Sequence, residues 1–242
     1  MVRPEPSAGI LVTSRPLDEY CGLFGLTRRA LCAALGAGPL LDCPGGAAAL
    51  VAEVRQLGGR AVAVDPEYAR MATVTGRALA GRDAMAVHID TAPEISAAAL
   101  SGRPEAYLRS WDRARELFAA DAAEHPDDYV AAALPQLPFR SGTFGITLSS
   151  YLLFAYPEVF SPADQLAGLL ELVRVTAPGS EVRVYPLHDS RGRRTPHLAR
   201  IRHSLGRHRV TSSLLRVPGP GGRRPRTVLV LRRAAGQTRP CR

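Results

Sequence analysis

Leu40-Leu41-Asp42-Cys43-Pro44-Gly45-Gly46-Ala47-Ala48, followed by Ala61-Val62-Ala63-Val64-Asp65-Pro66, decides the fold of this 242-residue chain. An apolar strand ends in an acid and runs into a turn of small residues that opens a helix. A second apolar strand ends in another acid, 23 residues after the first. An open α/β sheet presents a nucleoside-bearing ligand at its carboxyl edge in this way, because small residues let the backbone approach the ligand. Asp65 stands where a carboxylate accepts hydrogen bonds from both hydroxyls of a ribose.

The same alternation continues outward. Leu17 to Leu35 carries apolar residues at helical spacing until Gly36 and Gly38 stop it. A helix from about Ala47 to Leu57 stops at Gly58-Gly59 and leads to strand 2, Arg60–Asp65. Residues 66–127 are long for one crossover, and the pattern predicts helices near 66–79 and 105–123, the excess capping the ligand edge. Strands are expected at Tyr129–Ala133, Phe144–Ser149 and Glu181–Leu187. Ser161-Pro162-Ala163-Asp164 starts a helix that Pro178-Gly179 ends. Arg209–Val217 and Thr227–Leu231 read as a closing strand pair. The chain thus divides into a flexible leader (1–18), one domain (19–235) with a helical insertion at about 69–127 and an Arg-rich segment at 190–208, and a tail (236–242). Strands alternating with helices argue for a Rossmann-like, doubly wound, mostly parallel seven-stranded sheet with an antiparallel edge strand.

Composition narrows the functions. The chain is 46% hydrophobic and 22% charged, which suits a globular domain. It has no apolar run of membrane-spanning length and no signal-peptide core near its start, so a cytoplasmic protein without membrane contact is expected. Cys21, Cys32, Cys43 and Cys241 are scattered without metal or disulfide spacing, and His197, His203 and His208 lie among arginines that oppose a metal ion. Residues 1–190 carry sixteen arginines and twenty-two acids. Residues 191–242 carry fifteen arginines and no acid, and alone turn a net −6 into +9. That segment has no Phe, Tyr or Trp, so it offers phosphates a charge but bases no stacking surface.

Four segments in order carry a family resemblance. They are Leu41–Ala48, Val62–Asp65, Leu137-Pro138-Phe139-Arg140-Ser141-Gly142-Thr143-Phe144, and Leu172–Val175 with Ala177-Pro178-Gly179-Ser180. Together they resemble the class I S-adenosylmethionine-dependent methyltransferases over most of residues 39–232. The resemblance implies S-adenosylmethionine as cofactor. It places Asp65 on the ribose and Asp42 at the methionine end, with Cys43, Gly45 and Gly46 giving backbone contacts and Leu134 and Pro135 flanking the adenine. Tyr151, Tyr185 and His188 would face the acceptor, with His188 and Tyr151 the candidate catalytic residues. A small-molecule acceptor is implied, with nucleic acid engaged through residues 191–242 as the other possibility. A dinucleotide site is disfavoured, because the acid before the turn would repel a pyrophosphate and attract a methionine ammonium. Ser149-Ser150-Tyr151 does not match the motif of amino-group methylases acting on nucleobases.

The sequence also departs from the family pattern. Pro44 stands at the first turn glycine and Ala48 at the last, while Ala133 and Gly145 replace two usual acids. These departures keep a second expectation open: a catalytically degenerate module of the same fold that binds RNA or a protein through its Arg-rich end.

Overall fold

The computed structural model describes residues 9–91, 104–189, 191–219 and 225–233. The expected tail, and part of the expected leader and insertion, lie outside the described residues. Seven strands form one sheet in the order β3-β2-β1-β4-β5-β7-β6. They are β1 (Leu40–Asp42), β2 (Ala61–Val64), β3 (Tyr129–Val130), β4 (Phe144–Ser150), β5 (Thr176–Tyr185), β6 (Val210–Val217) and β7 (Arg226–Arg233). β1 pairs in parallel with β2 and β4, β2 with β3, and β4 with β5. Only β7 runs antiparallel to its neighbours β5 and β6. The order reverses at β1, so the crevice opens between the carboxyl ends of β1 and β4. This is the Rossmann-like doubly wound sheet that the alternation of elements predicts.

Helices cover both faces. The first face carries α1 (Leu17–Phe24) and α3 (Leu50–Gln56), whose Tyr20, Phe24, Leu50 and Val54 pack with Leu40 and Ile146. It also carries α5 (Pro104–Glu124), where Phe118 meets Tyr68 and Tyr129 at ring centroid distances of 6.1 and 5.3 Å. The second face carries α6 (Pro162–Val175) and α7 (Leu198–Arg207), with Leu169, Leu172, Ile201 and Leu205 against Leu41, Val182 and Leu229. Helix starts follow sequence chemistry. Thr27 accepts from the Ala30 amide to open α2 (Arg28–Leu35), and Ser161 and Asp164 form a capping box at α6.

Several expectations change. The apolar stretch 17–35 is two helices, because Gly25 turns left-handed (φ 63°) against the Val217 side chain. The helix after Ser161 ends at Val175, before Pro178-Gly179, and the chain enters β5 directly. After Asp65, a 3-10 turn (Pro66–Arg70) leads into α4 (Met71–Thr91). Gly145 has a steric cause: a Cβ there would lie 2.5 Å from the Ala34 carbonyl and 2.7 Å from the Gly38 amide, so no acid fits. The described part of the expected leader packs against the domain. Residues 10–16 run as an ordered strap across the sheet edge, with Val12, Ser14 and Arg15 buried. The strap supplies acceptors to the turn after β1: the Thr13 carbonyl accepts from the Ala47 amide at 2.9 Å and the Arg15 carbonyl from the Ala49 amide at 3.0 Å. Its passage beneath α4 requires Gly81, where a Cβ would lie 2.1 Å from the Val12 carbonyl.

Candidate active site

A crevice of about 440 Å³ opens at the carboxyl edge of the sheet, within the usual ~300–1,000 Å³ of small-molecule sites. Its floor is the turn after β1 (Pro44, Gly46) and the tips of β2 (Asp65) and β4 (Ser150, Tyr151). One wall is the strap from Ile10 to Thr13 with Arg15. The roof is α4 through Ala84, Met85 and His88, and the far wall is Tyr185, Pro186, His188 and Asp189 after β5. A second groove of about 510 Å³ lies outside α1 and α5, lined by Asp18, Glu19, Glu53 and Arg113 among others. It is away from the strand tips, so the smaller crevice holds the candidate chemistry.

Asp65 lies in the crevice as expected for its place in the sequence. Its Oδ2 accepts from the Gly46 amide and its Oδ1 from the Glu67 amide, both at 3.0 Å. Each oxygen keeps a further lone pair. Burial pushes its carboxyl up to about 6, against the lowering effect of the two amides. Glu67 beside it is buried and ion-paired with Arg77.

Asp42 lies elsewhere. It does not line the crevice; its Oδ2 accepts from the Tyr20 hydroxyl at 2.8 Å, beneath α1. Its Oδ1 is buried without a partner, and burial pushes the carboxyl up to about 8. The Tyr20 hydroxyl takes the place at Oδ2 that a ligand's methionine end, reached directly or through water, was expected to fill. The amides of the turn that were expected to contact a ligand have partners within the chain. The Cys43 amide bonds Leu148 O, that of Gly45 bonds Val64 O, and that of Gly46 bonds Asp65. Pro44 has no N–H, so the turn has no spare donor from Cys43 to Ala47. Cys43 is buried in the second core and Gly45 packs under the Tyr68 hydroxyl, while Gly46 lines the crevice at φ 55°. Leu134 and Pro135 are not among the residues that line the crevice. They follow the short β3, and Leu134 packs toward Gly168 of α6 in the second core.

Tyr151 and His188 both line the crevice. Tyr151 holds φ 50°, an uncommon conformation for a bulky side chain, at the end of β4. Its ring stands edge-on to Tyr185, with centroids 5.5 Å apart, and the Arg15 guanidinium lies over it at 4.3 Å. His188 Nδ1 is 2.9 Å from the Asp189 carbonyl. A carbonyl only accepts, so Nδ1 carries a proton, and Nε2 is the acceptor when the ring is neutral.

Sequence reasoning missed Arg15. It is 3% exposed, pairs with Glu19 at 2.9 Å and lies 5.2 Å from the Trp111 ring centre. Burial opposes its charge, and Glu19 with the surrounding tyrosine oxygens more than offsets that. An arginine between a serine and a proline near the chain start gives no signal of such burial. Among the described residues, no group of three His, Cys, Asp or Glu side chains gathers to hold a metal ion, and no helix is long and apolar enough to cross a membrane.

Neither a family model nor a curated protein sequence matches this chain. Solved structures do. One is a SAM-dependent methyltransferase from Methanosarcina mazei, 12% identical, covering 87% of this chain and 99% of that one at a TM-score of 0.47. Another is the Burkholderia thailandensis 1,6-didemethyltoxoflavin-N1-methyltransferase with bound 1,6-didemethyltoxoflavin and S-adenosylhomocysteine. It is 18% identical, covering 86% of this chain and 76% of that one at a TM-score of 0.44. A third is a point mutant of the 16S rRNA (adenine(1408)-N(1))-methyltransferase from Catenulisporales acidiphilia, 16% identical, covering 88% and 94% at a TM-score of 0.43.

Proposed function

We propose that this chain is an S-adenosylmethionine-dependent methyltransferase. The observation that carries the reading is Asp65: a buried carboxylate at the tip of β2, next to the strand-order reversal, held by two amides and lining a ligand-sized crevice. Such a carboxylate accepts hydrogen bonds from vicinal ribose hydroxyls. The donor set fits the rest of the molecule in part. Arg15 places a buried cation in the crevice for a carboxylate end, and Met85, Leu152 and Ala155 give it apolar wall. Asp42 acts at one remove, by holding Tyr20.

When bound, the sulfonium supplies a methyl group for in-line displacement. The chain's part is to align the partners and exclude water. His188 Nε2 takes the proton of an acceptor that arrives protonated, and Tyr151 and Tyr185 fix the acceptor's orientation. The fold and this edge of the sheet also suit a binding module without catalysis, but no feature of the crevice favours that reading over methyl transfer.

Calorimetry with S-adenosylhomocysteine tests the proposal. Micromolar to submicromolar binding is expected, weakened at least tenfold in Asp65→Asn and Asp65→Ala variants that keep the wild-type circular dichroism spectrum. Absence of heat from the wild type at millimolar ligand, or equal affinity in Asp65→Asn, would overturn it.

A further inference from the structure

Basic charge is concentrated on one segment, and that segment begins at the crevice. Between β5 and α7 the chain folds back on itself. Asp189 gathers this loop: its Oδ1 accepts from the amides of Arg191 and Arg193, both at 2.9 Å, and its Oδ2 pairs with the Arg193 guanidinium at 2.7 Å. A bridge between His188 and Arg194 closes the loop. Asp189 and Gly192 line the crevice, while Arg191 and Arg194 stand exposed around them. The chain then enters α7, where Ile201 and Leu205 are buried and Arg200, His203 and Arg207 are exposed. Those three share one helix face at i, i+3 and i+7, with the arginines roughly 10 Å apart along the axis. Among the described residues, the side chains of Arg191, Arg194, Arg200 and Arg207 have no acid or hydrogen-bond partner.

Two features distinguish possible partners for this surface. A protein interface has an apolar centre, yet none of the large exposed apolar side chains lies between residues 191 and 209. Phosphates need only the guanidinium groups. The rest of the chain is net negative, so a polyanion is held off residues 1–190 and drawn to this segment. The segment lacks aromatic residues, but the crevice side of the same loop supplies them. His188, half-buried on the crevice wall and backed by the buried Tyr185 at a ring-centroid distance of 6.1 Å, offers a ring there on which an unstacked base can rest.

We propose that Arg191, Arg194, Arg200 and Arg207 hold the phosphate backbone of a single-stranded nucleic acid and deliver one of its nucleotides to the crevice as methyl acceptor. The acceptor role rests on the methyltransferase reading. The strand grip does not.

Fluorescence anisotropy with labelled single-stranded RNA and DNA oligonucleotides of mixed sequence tests it. Binding to the full chain should weaken between about 50 and 200 mM salt with a log–log slope near −3, about −0.7 for each of four phosphates. The variant R191A/R194A/R200A/R207A should lose that slope and at least tenfold in affinity while binding S-adenosylhomocysteine as the wild type does. Failure of both oligonucleotides to bind, binding insensitive to salt, or displacement by polyglutamate as effective as by unlabelled oligonucleotide overturns the inference. A strand that binds to a chain unable to bind S-adenosylhomocysteine leaves the grip standing and removes the methyl acceptor. The converse pair of results removes the grip and leaves the methyltransferase.

Discussion

The tips of β1 and β2 end in the same residue type and face the same edge of the sheet, yet they have become different chemical objects. Asp65 meets two backbone amides and a crevice, whereas Asp42 meets one phenol and a sealed interior. Their burial differs little, at 7% and 1% exposure, so burial alone does not separate them. What separates them is cover. The strap and α1 close over the end of β1 and set Tyr20 above it, while the end of β2 lines the crevice. An acid at a strand tip is therefore a candidate ligand group only if the chain elsewhere leaves its approach open.

The sharpest way to break this contrast is at Asp65 itself. Asp65→Ala strands the Gly46 and Glu67 amides and should cost about 2–4 kcal/mol in urea unfolding, together with the loss of S-adenosylhomocysteine binding. Retention of full stability would mean that the two amides find other partners. The next largest effect is expected at Gly81, far from both acids in sequence. Its Cβ would collide with the Val12 carbonyl, so Gly81→Ala should unseat the strap. A loss of roughly 1–3 kcal/mol and new protease cleavage within residues 10–16 are expected. An uncleaved strap would show that α4 yields instead.

Asp42 sharpens the contrast through pH. Its carboxyl is raised from 3.8 to about 8 by burial, so the native state keeps a proton that the unfolded chain gives up. Stability from this group is therefore full below about pH 4 and falls as pH rises toward 8. Asp42→Asn removes that fall. Its melting temperature should match the wild type near pH 4 and exceed it increasingly up to about pH 8, with ligand affinity changed by less than about threefold. Parallel melting curves for the two proteins across that range would show that Asp42 is already charged in the fold. The smallest effect is expected at Leu134. Leu134→Ala should leave S-adenosylhomocysteine affinity within about twofold and cost only ~1–2 kcal/mol of packing, since the side chain is partly buried against α6. A large affinity loss would return this loop to the site.

Much of the fold was legible because it depends on local periodicity. Leu40–Asp42, Ala61–Val64 and Phe144–Ser150 are apolar runs that only a covered sheet accommodates, and Ser161-Pro162-Ala163-Asp164 is a complete helix start. Asp65 was legible because a strand end fixes both its place and its direction. The occupancy of the turn's amides was not, since their acceptors, Thr13, Val64 and Leu148, come from three distant parts of the chain. Nor was the burial of Arg15, whose partners Glu19, Trp111 and Tyr151 meet only after folding.

By itself, then, the sequence determined the alternation of strands and helices, the acids at two strand tips and the confinement of net positive charge to the last fifth of the chain. Each is a property of consecutive residues. Tertiary structure alone decided that one acid is covered and the other open, that an apparent leader is a wall of the crevice, and that the arginine segment begins at the crevice mouth. Those facts depend on which distant segments exclude water from which side chain, and local periodicity carries no record of that.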